Sequence, residues 1–149
     1  MTKHTGKWQG IMLHHTAGAK TDNAASIRKV HKIRGWGDIG YHFVLEIKDG
    51  RGYLKQGRNV MYNGAHAGVD YYNKNYLGIV IPGNYSNYPV DSAVYNDLID
   101  AMCHIIKKYG LSHIRGHREV KATQCPGNNI NMDKVRADIS KKIGYVIGK

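Results

Sequence analysis

The sequence predicts an α/β domain, a central mixed β-sheet flanked by helices, and three observations carry that expectation. Short apolar runs of strand length are interspersed with stretches whose apolar residues recur at helical spacing. One pair of runs is joined by Asp49-Gly50, a hairpin signal, so the sheet is not purely parallel. The chain has 149 residues, 42% hydrophobic and 22% charged, the size and composition of one ordinary globular domain. No internal repeat or proline-rich tract divides it, so residues 1–149 are read as one domain.

Gly10-Ile11-Met12-Leu13-His14 is an apolar run ending in polar residues, which suits a buried strand. Residues 16–21 read as a loop. A helix over Asn23 to Arg34 follows, with Ile27, Val30 and Ile33 as its apolar positions, Asp22 or Asn23 as its cap and Gly35 as its stop. Gly40 to Ile47 is aromatic and β-branched, and Gly52-Tyr53-Leu54 beyond the turn completes a hairpin. Trp36 is expected to pack beneath the loop after the first helix. Tyr71 to Tyr76 interleaves tyrosines with Lys74 and is read as an exposed loop rather than a stacking platform. Leu77 to Ile81 is a second buried strand, closed by Pro82-Gly83. From Asp91 to Tyr109, Val94, Leu98, Met102, Ile105 and Tyr109 recur three and four apart, and Gly110 is a natural helix stop. Ile114 to His117 predicts a short strand, and Met132 to Ile143 a last helix with Met132, Val135, Ile139 and Ile143 on one face.

Lys plus Arg number 22 against 11 Asp plus Glu, a formal charge of +11. That charge favours an anionic partner: nucleic acid, anionic lipid or an anionic cell wall. No basic helix or recognised nucleic-acid motif accompanies it, so no nucleic-acid partner is expected. No apolar stretch approaches the roughly 20 residues of a membrane span, so no stable membrane insertion is expected. Residues 1–7 lack the apolar core of a signal peptide. With only Cys103 and Cys125, the chain is not a disulfide scaffold, and Cys103 is expected to be buried and inert in its helix.

Nine histidines raise the prior for metal or acid–base chemistry. His14-His15-Thr16 ends a strand, where a sheet fixes side chains rigidly. His117 lies eight residues before Cys125, a gap too long for a zinc knuckle, and neither CxxC nor HExxH occurs. Imidazole and thiolate are both good zinc ligands, and His14 could supply a third from a neighbouring strand. Three protein ligands leave a fourth tetrahedral position open, as in catalytic rather than structural zinc sites. Taken singly, each residue has a plainer reading: a hydrogen-bonded structural histidine, a small buried cysteine, a Pro126-Gly127 turn.

His14-His15-Thr16-Ala17, Gly40-Tyr41-His42-Phe43, Gly64-Ala65-His66-Ala67-Gly68, Leu77-Gly78-Ile79 and Gly116-His117-Arg118-Glu119-Val120 through Cys125-Pro126-Gly127 occur in this order. Together they resemble the type 2 N-acetylmuramoyl-L-alanine amidases, a family that includes phage endolysins and peptidoglycan-recognition proteins. The resemblance runs from about Ile11 to Gly127 and implies a mixed sheet flanked by helices, with zinc in a surface groove at the strand ends. By position it implies one zinc ion held by His14, His117 and Cys125, where many members have aspartate in place of the cysteine. Tyr41 matches a residue, tyrosine or glutamate, that assists proton transfer. Thr123 stands where some endolysins carry lysine and many recognition proteins carry threonine, a transition-state donor. His66 is expected to line the groove and contact substrate, with His15 and Glu119 supporting the ligands.

The implied reaction is hydrolysis of the amide between N-acetylmuramic acid and the L-alanine of the peptidoglycan stem peptide, in a phage or prophage endolysin. The alternative is a peptidoglycan-recognition module without catalysis. The partner is then bacterial peptidoglycan, the protein a monomer, and its setting the host cytoplasm before release to the wall, or the exterior if it belongs to a longer exported protein. A linker to an absent wall-binding module is expected, if anywhere, from about residue 144.

Overall fold

The structure is a computed structural model and describes residues 1–149. Its elements, in chain order, are β1 (Gly10–His15), α1 (Ala24–Ile33), β2 (Phe43–Lys48), β3 (Arg51–Gln56), α2 (Asp70–Asn75), β4 (Tyr76–Ile81), α3 (Ser92–Tyr109), β5 (His113–Gly116) and α4 (Met132–Ile143). A 3-10 turn, His117–Glu119, follows β5 directly. The five strands form one sheet in the order β3-β2-β4-β1-β5. The β2–β3 hairpin is antiparallel and every other pairing is parallel. This is the mixed sheet flanked by helices that the sequence predicts.

The period-two alternation of strand side chains sorts the sheet into two different faces. Ile11, Leu13, Leu45, Leu77, Ile79, Ile81 and Ile114 point to one face and pack with Leu98, Met102, Ile105, Val135 and Ile139 of α3 and α4, in a single cluster of 24 buried residues. Full burial of such a side chain contributes about 1.5–3 kcal/mol, so this face supplies most of the cohesion. The other face holds two small apolar clusters: Ala24, Ile27, Ile39, Val44 and Val80 under α1, and Met12, Ala67 and Tyr76 beside α2. Between them lie buried histidines.

Register positions the site. β1 and β5 run parallel with Leu13 opposite Gly116. One residue further, His14 and His117 come level at the strand ends, with ring centroids 4.7 Å apart.

Three expectations need correction. Tyr71 to Tyr76 is not a loop: residues 70–75 form α2, with an Asp70–Lys74 ion pair one turn apart, and Tyr76 opens β4 as a buried residue. Tyr72 leans edge-on against Tyr76, ring centroids 5.0 Å apart, so the helix gains its purchase through aromatic packing rather than an apolar stripe. On α1 the buried residues are Ala24, Ile27 and His31, while Val30 is 47% and Ile33 77% exposed. The inward stripe runs through Ala24, Ile27 and His31, and Val30 and Ile33 are turned outward. Trp36 is not packed beneath its loop: it is 38% exposed, tilted against His31 at 4.4 Å between centroids. After α4, the chain from 144 to 148 returns to the sheet. The Ile114 amide donates to the Gly148 carbonyl (2.9 Å), the Gly148 amide to the Ser112 carbonyl (3.3 Å), and Ile147 is buried. These residues lie along the outer edge of β5, with Gly148 bridged in parallel to His113. No helix is long and apolar enough to cross a membrane.

Candidate metal centre

His14, His117 and Cys125 converge, with one potential donor atom from each lying within 4.8 Å of the others. His14 comes from β1, His117 from the 3-10 turn after β5, and Cys125 from the loop that follows. That loop is tied down on both sides. The Arg118 amide donates to the Cys125 carbonyl at 2.7 Å, and its guanidinium reaches the carbonyls of Gly127 (2.9 Å) and Ile130. The His15 amide points at the Cys125 sulfur from 3.4 Å. Glu119 accepts from the Gly116 amide at 2.8 Å and pairs with Arg136 at 2.7 Å, which fastens the turn carrying His117 to α4.

The hydrogen bonds of the two imidazoles decide which nitrogens remain free. His117 Nε2–H donates to the Ala67 carbonyl (2.7 Å), which leaves Nδ1 as its lone-pair atom. His66 Nε2–H donates to the Tyr76 carbonyl (2.9 Å), so His66 Nδ1 must accept, and it does so from His14 Nε2–H at 2.9 Å. His14 Nδ1 is therefore bare, and it faces the Cys125 sulfur at 3.6 Å. Burial, reinforced by the neighbouring imidazoles, holds the His14 ring well below the usual histidine range, and burial followed by Lys121 lowers His117. Both are neutral ligands near pH 7. Burial pushes the Cys125 thiol up to about 11, against the pull of the His15 amide and Arg118. A cation arriving here meets two free lone pairs and a thiol with one proton to release. The donor set, two imidazoles and a sulfur with outer nitrogens engaged by the protein, fits zinc.

Tyr41 stands beside His14, ring centroids 5.1 Å apart, and lines a 160 Å³ cavity with Thr16, Ile27, Val30, His31 and Arg34. Burial, with a smaller contribution from Cys125, raises its phenol above the ordinary value. It is a neutral O–H, a donor rather than a base, and a cation at the site would draw its pKa back down. Thr123 is exposed, and its hydroxyl oxygen accepts from the Cys125 amide at 3.3 Å, which leaves its proton free to donate.

His66 lies deeper than the groove lining that the resemblance implies. Its side chain is buried, and both ring nitrogens are engaged, by His14 and by the Tyr76 carbonyl. It sits beneath the site, with no nitrogen left for a substrate. Reading the sequence also missed His42, wholly buried, whose Nε2–H donates to the Tyr62 carbonyl (2.8 Å) while Nδ1 accepts from the Gly78 amide (3.1 Å). It missed the Ala67 carbonyl and Asn73 as well. Only His42 and Asn73 could have been flagged, the first as a polar residue inside the Gly40–Phe43 motif and the second as one lying between two motifs. A backbone carbonyl leaves no mark in a sequence.

An α/β fold that brings three soft-to-borderline donors to the ends of parallel strands defines a class: a protein built around a candidate catalytic metal site. Comparison with known proteins narrows the class. Residues 4–128 match the N-acetylmuramoyl-L-alanine amidase family. Peptidoglycan-recognition protein SC2 of Drosophila melanogaster is 38% identical over 133 residues, covering 80% of this chain and 68% of that protein. The endolysin of Escherichia phage T7 is 31% identical over 123 residues, 78% of each chain. Among solved structures, the N-acetylmuramoyl-L-alanine amidase LysC from Clostridium intestinale superposes with a TM-score of 0.78 at 29% identity, over 97% of this chain and 94% of that one. The chain belongs to the N-acetylmuramoyl-L-alanine amidase family.

Proposed function

We propose that the protein is a zinc-dependent amidase of bacterial peptidoglycan, cleaving between N-acetylmuramic acid and the L-alanine of the stem peptide, in the setting of a phage or prophage endolysin. The observation that carries this is the convergence of His14, His117 and Cys125, with one potential donor atom from each within 4.8 Å of the others and the outer Nε2 of both imidazoles engaged by the protein, in a chain of this family. When bound, a zinc ion supplies Lewis acidity, polarising an amide carbonyl and making water a competent nucleophile near neutral pH.

The chain's own residues do the rest. His14, His117 and Cys125 would hold the ion, and the thiolate would offset part of its charge. Tyr41, kept as a neutral phenol, donates a hydrogen bond to the carbonyl oxygen as negative charge develops there, and relays the proton given up by the attacking water to the leaving amine, ending as the phenol it began as. Thr123 offers a second donor from the rim. The +11 charge draws the protein to an anionic wall and leaves the chemistry to residues that add little to it.

The second reading, recognition without cleavage, is favoured by the peptidoglycan-recognition relatives. One experiment separates the two. Purified walls are incubated with the protein with and without chelator, and new L-alanine amino termini are counted. Release that stops with chelator and returns with zinc supports the amidase. Binding to walls without release by zinc-loaded protein leaves only the recognition module.

A further inference from the structure

The loop Gly64–Gly68 contributes no metal ligand, yet it touches both histidine ligands from consecutive residues. The His66 ring accepts from His14 Nε2–H at 2.9 Å, and the Ala67 carbonyl accepts from His117 Nε2–H at 2.7 Å. The loop is itself pinned from one point: Asn73 Oδ1, on α2, accepts the amides of both His66 and Ala67 at 2.9 Å each. The Asn73 carbonyl also accepts the Gly64 amide at 2.9 Å.

The space for the His66 ring is cut by two glycines. A Cβ on Gly78, in β4, would lie 2.6 Å from His66 Cγ, and one on Gly64 would lie 2.4 Å from His66 Cδ2. Any side chain at either position would occupy the place of the imidazole. The ring thus cannot slide along the sheet, and its two hydrogen bonds fix its tautomer. A neutral imidazole that donates through Nε2 to a carbonyl can only accept through Nδ1. That acceptor in turn requires the proton of His14 on Nε2, which aims the bare Nδ1 at the metal position.

We propose that His66 is a positioning residue of the metal centre: it selects the His14 tautomer and, with Ala67 and under the control of Asn73, holds both histidine ligands in donor geometry. The role deepens the zinc reading above and rests on it. Partners of this kind are worth about 10–100-fold in metal affinity.

Side-chain geometry supplies the test. In His66→Asn, Oδ1 takes the place of the imidazole Nδ1 and keeps an acceptor for His14. In His66→Gln, the terminal amide reaches the Tyr76 carbonyl, but the acceptor at the Nδ1 position is gone. His66→Leu removes both. Zinc affinity is measured by competition with a chromophoric chelator at pH 7, beside the thermal midpoint of each metal-free variant and the visible spectrum of its cobalt form. The expected order is wild type, then Asn within a few-fold, then Gln and Leu weaker by 10–100-fold, with an altered cobalt spectrum in the last two. Asn73→Ala should weaken zinc binding as well, from a residue that touches neither ligand. Equal zinc affinity across the Asn and Gln variants, or wild-type affinity in His66→Leu, overturns the proposal. If His66→Leu does not fold, the Asn and Gln pair decides it. A wild-type protein that takes up no zinc overturns the metal reading itself, a result distinct from His66 variants that bind zinc normally.

Discussion

The two faces of one sheet are built on opposite principles. Under α3 and α4, the strands present isoleucine and leucine to a cluster of 24 buried residues. On the other face, His14, His42 and His66 lie buried in a row between two clusters of five and three, and His31 caps the row from α1 by accepting the Gly40 amide at 2.9 Å. Apolar packing is non-directional and forgiving of small shifts, whereas buried imidazoles need a partner for each nitrogen and so fix directions. The first face stabilises the fold, and the second spends stability to aim two lone pairs.

If that division holds, changes on the two faces should move different observables. The largest effect is expected from His117→Ala, which should abolish wall cleavage and zinc uptake while the circular dichroism stays that of the folded protein. Cleavage at the wild-type rate would remove His117 from the site. Leu98→Ala, on the fully buried stripe of α3, should cost about 2–5 kcal/mol of stability, read from denaturant unfolding, yet leave the zinc affinity of the folded fraction unchanged. A large loss of affinity there would show that the faces are coupled. Tyr41→Phe should lower kcat by roughly 10²-fold, as loss of a donor to developing negative charge does, with KM and zinc affinity little altered. Unchanged turnover would dismiss the phenol.

The histidine face also predicts a pH dependence. Burial, the leading cause in each case, lowers His31 and His42 to about 4 and His66 to about 3, from 6.5 in the unfolded chain. Below pH 6.5 the unfolded state therefore binds protons that the folded state refuses. Their stabilising contribution is complete above about pH 6.5 and is lost progressively as the pH falls toward 4. Urea midpoints of the metal-free protein should decline across that window, before the carboxylates titrate, and a flat profile would contradict the burial of these rings. The smallest effect is expected at Asn23. Its side chain accepts the Ser26 amide at 2.8 Å to cap α1, and Asn23→Ala should cost about 1 kcal/mol without altering cleavage.

What was legible in the sequence follows the same division. The α4 boundaries, Met132 to Ile143, and most of α3 could be read off because an apolar stripe against a large core repeats at helical spacing. The convergence of His14, His117 and Cys125 was legible once the family motifs were recognised, since strand ends place residues reproducibly. Other features had no such signal. Helix α2 has no buried residue, so no stripe announces it. Val30 and Ile33 follow the α1 period, but the stripe that turns inward is Ala24, Ile27 and His31, and its member in the last turn is polar. The role of His66 depends on Gly78, twelve residues away, leaving a ring-sized space in a neighbouring strand, and that is a property of packing rather than of either local motif.

The last strand-like segment has a consequence of another kind. Without residues 144–148, β5 would be an outermost strand with unpaired amide and carbonyl groups, a template on which a second molecule could add. By occupying that edge with its own chain, the protein denies it to neighbours. The strand so guarded leads directly into His117. A truncation after Ile143 would thus open a route to edge-to-edge self-association beside the metal ligand, and fusions at this end of the chain should begin beyond Lys149 so that Ile147 and Gly148 stay in place.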